Sequence, residues 1–391
     1  MHSDPPSPAP WLPDLSDQFL ALADRAWLNC AHQAPLPECA RTAAIEAMGW
    51  KSAPWELTTE RFSGVPHRLR RVLGALIGAP ADDVILANSA SYGLHLLANG
   101  LPWREGDEVL TLRGDFPSDI LPWLGLEPRG VSVRQLSPRR PVPDADEVAA
   151  AIGPRTRLLC LTWVHSLSGW AIDLDGVGRA CRDRGVLFVL NASQALGVRP
   201  LDVSRAPVDA VVSAGWKWLL GPYATGFCWI APDLRETLAY NQRYWLSMLT
   251  SDDLGRDEID LTISDDVGAR RYDVFCPANF FNFVPWAASL EFLSGLGIET
   301  VQAHDQALVQ RLLDGLDRRR FRVTSPEAGD QRSTLVFVEP ARDRSRAPAL
   351  QRALADGGVH AALRRGALRF SPHLYNQPEH IDRALAVLHS L

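Results

Sequence analysis

Asp209-Ala-Val-Val-Ser-Ala-Gly-Trp-Lys217-Trp-Leu-Leu-Gly-Pro222 sets one lysine just past an apolar run, between Gly215 and a Leu-Leu-Gly-Pro turn. A lysine at the end of a sheet, among small and aromatic residues, loses hydration. Desolvation disfavours the ammonium, lowers the pKa and makes the neutral amine a usable nucleophile. A Schiff-base lysine requires this setting. The same residues also fit a surface lysine following an edge strand.

A second anchor lies upstream. Gly185-Val-Leu-Phe-Val-Leu190 is a continuous apolar run, as expected of a strand buried on both faces. It ends in Asn191-Ala-Ser-Gln194-Ala-Leu-Gly197. Polar residues at the C-terminal end of a buried parallel strand point at the ligand crevice of an α/β sheet. A strand-end polar pair, a further strand and then a lysine resemble the class V aminotransferase group of fold-type-I pyridoxal phosphate (PLP) enzymes. That group includes cysteine desulfurases, kynureninases and isopenicillin N epimerase-like proteins. The resemblance spans roughly residues 25 to 390. It implies an α/β fold, with a seven-stranded, mostly parallel sheet in a large domain and an α+β small domain. It also implies a homodimer, PLP as cofactor and an amino-acid substrate.

Composition agrees with a large enzyme. The 391 residues exceed one ordinary core and suggest two domains. Apolar residues make up 46%, enough for a sizeable interior. The net charge of −6 argues against a nucleic-acid partner. No run reaches the roughly 18 apolar residues of a membrane span. Met1 to Pro13 is rich in proline and polar residues, with no apolar signal segment. The six cysteines show no CxxC, so reduced thiols and a cytoplasmic location are expected. The ten histidines form no HExxH or HxH cluster, so no metal is expected.

Short apolar runs start at Val84, Glu108, Val131, Leu158, Val186, Ala210 and Gly226, and helical patterns separate most of them. Alternating strand and helix predicts a mostly parallel sheet covered on both faces. The last two runs lie close together, so one strand should be antiparallel. Residues 239–282 mix aromatics and charges and should form loops near the site. Helices are expected from Trp286 and Ile298, then short strands and two more helices. The expected division is a flexible extension over 1–24, a cofactor domain over 50–285, and a small domain from 25–49 and 286–391.

The chemical residues follow the strand ends. In Asn88-Ser-Ala-Ser91, small hydroxylated residues at a helix start offer N–H groups and the positive dipole end to a phosphate. A plain serine N-cap reads the same way. On the resemblance, Ser89, Ala90 and Ser91 hold the cofactor phosphate. Phe116-Pro-Ser-Asp119 looks like a kynureninase motif whose Phe stacks on the cofactor ring, with Asp119 reaching the cofactor or ordering the loop. Asn191 stands where the family has an Asp paired with the protonated ring nitrogen. A neutral Asn can instead donate to an unprotonated nitrogen, leaving a weaker electron sink. The chemistry then tolerates a neutral pyridine, another group supplies the charge, or the protein is catalytically weak. Gln194 matches a contact to the cofactor's phenolic oxygen. Trp216 replaces the residue that usually precedes the lysine. Ser166 and Ser213 join the expected cofactor contacts. So does Asn279, in a segment that in the family reaches the partner's phosphate. His165 is a candidate acid/base, or a structural imidazole.

Ala367-Leu-Arg369-Phe-Ser-Pro-His373 resembles the family string in which Arg clamps the substrate α-carboxylate. The loop 357–366 lacks the persulfide cysteine of class II desulfurases. Lys217 is expected to carry the cofactor and shuttle the Cα proton. A lyase-type reaction by β-elimination, including C–S cleavage, is preferred. Transamination and epimerisation stay open, as does a catalytically silent PLP-fold binding protein.

Overall fold

The computed structural model describes residues 11–249, 253–262 and 267–391. Its elements in chain order begin with β1 (Ala26–Trp27), α1 (Glu38–Ser52) and α2 (Thr59–Ile77). The alternating region follows: β2 (Val84–Ala87), α3 (Ala90–Gly100), β3 (Glu108–Leu112), α4 (Leu121–Leu124), β4 (Ser132–Leu136), α5 (Ala145–Ala151), β5 (Thr156–Thr162), α6 (Leu174–Arg182), β6 (Leu187–Asn191), β7 (Ala210–Ala214) and β8 (Gly226–Ile230). The sheet order is β2-β8-β7-β6-β5-β3-β4. β8 runs antiparallel to both its neighbours, and the other pairings are parallel. β2, β7 and β8 are buried along their whole length, as continuous apolar runs require. Local signals set the helix starts. Asp144 and Glu147 form a capping box on α5, and the Asp173 side chain accepts from Gly176 N at 3.0 Å on α6.

After α7 (Pro232–Glu236) and α8 (Trp245–Met248), α9 (Phe280–Leu296) starts at Phe280 rather than the expected Trp286, because Asn279 caps it. The second layer contains α10 (Ile298–Gly315), β9 (Phe321–Val323), β10 (Val336–Pro340), α11 (Ala347–Asp356), β11 (Val359–His360), β12 (Ala362–Arg364), β13 (Ala367–Phe370) and α12 (Pro378–Ser390). β12-β13-β10-β9 form an antiparallel sheet, and β1 joins β11 in parallel. Ala26 and Leu28 pack into the small-sheet core with Leu308, Leu312, Val338 and Leu368.

Two packing details depart from the expected division. Trp286, Leu290 and Leu293 of α9 and Ala47 of α1 join the core of the large sheet instead. Residues 11–24 are not a loose extension. Leu12, Leu15 and Phe19 are buried, and Leu12 N donates to His304 Nδ1 at 3.0 Å. Residues 1–10 lie outside the described residues. Among the described residues no helix is long and apolar enough to cross a membrane.

Candidate active site

Lys217 sits in a turn just after β7, and packing against α9 fixes that turn. Gly221 N donates to Gly215 O at 2.8 Å, closing the loop, and Leu220 N donates to Lys217 O at 3.0 Å. A Cβ on Gly215 would lie 2.6 Å from the Trp286 ring, and one on Gly221 would lie 2.5 Å from it. Only glycine leaves room at both positions. Leu220 holds φ +54°, a left-handed conformation that costs a branched residue roughly 1–2 kcal/mol. Its carbonyl accepts from Ser289 Oγ at 2.8 Å, a second tie to α9. Trp218 is fully buried and donates from Nε1 to Gln194 Oε1 at 2.9 Å. His373 bridges the Trp218 carbonyl at 3.2 Å and Asp305 at 2.8 Å, which ties the lysine loop to the small domain.

The loop opens onto a cavity of about 320 Å³. β2, β5, β6 and β7 all deliver residues at or just past their ends to it: Ser89 to Ser91, Ser166, Asn191 with Ser193 and Gln194, and Trp216 with Lys217. Burial, then the Arg369 guanidinium, push the Lys217 ammonium down to about 8, against smaller opposing effects of Asp119 and Cys30. Phe116 has its ring centroid 5.6 Å from Lys217 Nζ and is 45% exposed, so a ring face is free. Trp216 stacks at a tilt on Tyr223, with centroids 4.9 Å apart. Arg369, on β13, is buried and donates to Ser166 O at 3.3 Å. Its Nε has no partner among the described residues, and burial with Arg364 nearby pushes it down to about 10. The lining carries Lys217, Arg364 and Arg369 and no carboxylate.

These features suit PLP and a carboxylate. The first turn of α3 has no side-chain cap, and while Tyr92 N donates to Ser89 O at 3.3 Å, the N–H groups of Ala90 and Ser91 are available to a phosphate. A Cβ on Gly226 would lie 2.7 Å from the Ser89 backbone, so β8 presses directly behind that turn. Phe116 has a free face for a ring, Lys217 offers an amine, and Arg369 leaves a guanidinium nitrogen unpaired. When bound, PLP supplies an aldehyde for the amine and an electron-withdrawing ring for carbanion chemistry.

Of the expected residues, Ser89, Ala90, Ser91, Phe116, Ser166, Asn191, Gln194, Trp216, Lys217 and Arg369 line this cavity together. Four do not. Asp119 is fully buried behind Asn191, whose Nδ2 donates to its Oδ1 at 2.7 Å. Ser213 lies within β7, and its Oγ donates to the Ala214 carbonyl at 3.2 Å, so the strand's alternation turns it away. Asn279 caps α9, where its side chain accepts from Asn282 N at 3.3 Å. His165 is buried between Ser168 Oγ at 2.7 Å and Gly114 O at 3.1 Å and does not line the cavity. No described residue of 239–282 lines the cavity, though Asn282 Nδ2 donates to the carbonyl of the lining residue Tyr223 at 3.3 Å. Residues 250–252 and 263–266 of that segment lie outside the described residues.

Ala31, His32 and Gln33 of the N-terminal segment line the cavity without having been expected there, as do Ser118, Tyr223 and Arg364. Burial, then Arg364, Arg369 and Lys217, lower the His32 pKa and favour its neutral form. Gln194 Nε2 donates to Ala31 O at 3.0 Å, which seats this segment. The repeated polar step after each strand pointed to the other wall. Nothing local marks an N-terminal return.

Comparison with known proteins agrees with this geometry. The family description Aminotransferase class-V matches residues 58–384. A probable cysteine desulfurase of Methanothermobacter thermautotrophicus is 26% identical over 78% of this chain and 77% of its own length. Isopenicillin N epimerase of Streptomyces clavuligerus is 27% identical over 93% of this chain and 94% of its own. Among solved structures, a C-DES lysine mutant with glycine covalently linked to its PLP cofactor superposes with TM-score 0.85 at 21% identity, covering 96% of this chain and 98% of that one. The cystine C–S lyase C-DES with its product cysteine persulfide gives TM-score 0.83 at 22% identity, covering 94% and 98%. At that identity the likeness shows the shared fold-type-I architecture. The chain belongs to the class-V aminotransferase family of enzymes, whose cofactor is pyridoxal 5′-phosphate.

Proposed function

We propose that this enzyme is a lyase that cleaves a C–S bond of an α-amino acid by β-elimination. The observation that carries the amino-acid part is Arg369, a buried guanidinium with no carboxylate partner among the described residues, in the same cavity as Lys217. An uncompensated buried cation is costly, and a substrate carboxylate compensates it. Arg369 binds and orients that carboxylate. Lys217, already partly neutral near pH 8, takes the Cα proton. Elimination returns the lysine to its starting state and needs no stored amino group. The departing sulfur needs no cysteine acceptor, which fits a 357–366 loop without one. His32 is an imidazole on the cavity wall held toward its neutral form, and His165 is given a structural role. The relation to a C–S lyase and to probable cysteine desulfurases supports this choice. Likeness to isopenicillin N epimerase keeps epimerisation as the second reading. We further propose a homodimer, because Ile45, Met48 and Trp55 leave apolar surface exposed beside one another in sequence.

The test has two parts. Borohydride reduction and peptide mapping should place the cofactor adduct on Lys217. An amino-acid panel should then yield ammonia, a 2-oxo acid and a thiol or persulfide from a sulfur-substituted substrate. A 2-oxo acid without thiol release indicates transamination, and loss of optical activity alone indicates epimerisation. No reaction with any amino acid leaves the silent binding protein.

A further inference from the structure

The position that normally carries the charge opposite the cofactor ring nitrogen holds a neutral Asn191, and a carboxylate lies directly behind it. Asn191 Nδ2 donates to Asp119 Oδ1 at 2.7 Å. Asn191 Oδ1 accepts from Ser193 N at 3.0 Å. These two bonds fix the amide from both sides. A carboxylate accepts hydrogen bonds, so the NH₂ must face Asp119. A backbone N–H donates, so the oxygen must face Ser193. The carbonyl oxygen keeps one free lone pair, and Nδ2 keeps its second hydrogen. A ring nitrogen meeting that oxygen has to bring a hydrogen, since an unprotonated nitrogen would set lone pair against lone pair. Because the second Nδ2 hydrogen could also meet a neutral ring, the choice between the two rests on the buried carboxylate behind the amide, which favours a cation at the ring.

Resting on the PLP reading above, we infer that Asp119 is a positioning residue that supplies the missing negative charge through Asn191, and so keeps the cofactor ring nitrogen protonated. The charges balance as one ring N–H⁺, one neutral amide and one carboxylate. Asp119 is fully buried, and its Oδ2 has no partner among the described residues. Three titratable groups face it: Asp115, Lys217 and Cys160. Asp115 is already committed to Thr162 Oγ1, to Thr162 N at 3.2 Å and to Phe116 N at 2.8 Å. Burial first, then Asp115, push the Asp119 carboxyl well above its ordinary range, opposed by Asn191 and Lys217. A buried acid that gains a proton when alone gives it up when a cation arrives within reach, as a ring N–H⁺ does across the amide.

The experiment loads the apoprotein with PLP labelled with ¹⁵N in the ring and reads the ring-nitrogen chemical shift. Wild type should show a protonated ring nitrogen. Asp119→Asn keeps the hydrogen bond to Asn191 and removes the charge. Its ring nitrogen should be unprotonated, and PLP affinity should fall about 10- to 100-fold. Asn191→Asp should keep the ring protonated. An unprotonated ring in wild type overturns the inference, and so does an unchanged shift in Asp119→Asn. If Asp119→Asn does not fold, Asn191→Leu decides. It leaves Asp119 in place but cuts the connection, so a ring still protonated there also overturns it. A protein that binds no PLP removes the proposed function itself. One that binds PLP on Lys217 with a ring proton independent of Asp119 overturns this inference alone.

Discussion

Covalent capture of PLP by the apoprotein should depend on pH with a midpoint near 8. Burial and Arg369 hold the Lys217 ammonium at about 8 rather than its ordinary 10.5. At pH 7 about a tenth of Lys217 is then neutral, against about one in 3,000 for an unperturbed lysine. The depressed pKa thus makes the reactive amine about 300-fold more abundant at pH 7. Below pH 8 the capture rate should rise about tenfold per pH unit, and above 8 it should level off. Stopped-flow absorbance after mixing apoprotein with PLP, repeated from pH 6 to 10, gives the profile. Arg369→Met removes the charge that ranks second among the causes, so its midpoint should move up toward that of an ordinary lysine. A rate that keeps climbing past pH 9.5 in wild type would show that Lys217 is an ordinary lysine. An unmoved midpoint in Arg369→Met would show that the two cations do not sense each other.

The same burial fixes the sign of a stability change. A lysine with a lowered folded pKa destabilises the apoprotein below about pH 8, and this penalty fades as pH rises through 8 to the unfolded value of 10.5. Lys217→Met should therefore raise the apoprotein's melting temperature at pH 7 and lose that advantage near pH 10.5, measured by calorimetry. Arg369→Ala should weaken substrate binding by about 2–5 kcal/mol and leave the borohydride adduct on Lys217 intact, which substrate titration of the holoenzyme checks. Gly215→Ala should destabilise the fold by roughly 1–3 kcal/mol and lower PLP occupancy, because its Cβ would meet Trp286 at 2.6 Å; unchanged denaturant midpoints would show that the loop relaxes freely. His32→Gln should slow turnover and alter its pH profile, whereas His165→Gln should act on thermal stability without altering that profile.

The seven-stranded sheet was legible because each strand is a short apolar run bounded by polar punctuation. β8 matches the expected Gly226 to Ile230 without adjustment. The cavity's main wall was legible for the same reason, since strand ends deliver the next polar residue to the crevice. The reading failed where alternation decides direction. Ser213 stands next to the cavity residue Ala214 in sequence, and the strand turns it away. It failed again where distant segments return. Ala31 to Gln33 reach the cavity through β1's pairing with β11 and through Gln194, contacts that no local pattern encodes. Asp119 was noticed as a residue of the Phe116 loop. Its position behind Asn191 depends on how that loop meets the end of β6.

The electrostatics of the cavity tie these placements together. The chain is acidic overall, with net charge −6, yet the cavity wall gathers Lys217, Arg364 and Arg369 with no carboxylate among them. Folding alone does not favour such a site. Each buried cation loses hydration, and both Lys217 and Arg369 carry depressed pKa values, to about 8 and about 10, as the sign of that cost. A phosphate at the α3 N-terminus and a carboxylate at Arg369 would neutralise it, so the site is complementary to a PLP–amino-acid pair. The buried carboxylate Asp119 sits where it can oppose a cation at the ring nitrogen but is too well covered to pair with Arg369 from the cavity side. Moving that carboxylate to position 191 would put a negative charge on the cavity wall itself. Holding it behind a neutral amide keeps the wall cationic toward an anionic substrate and still presents a polarised oxygen to the ring.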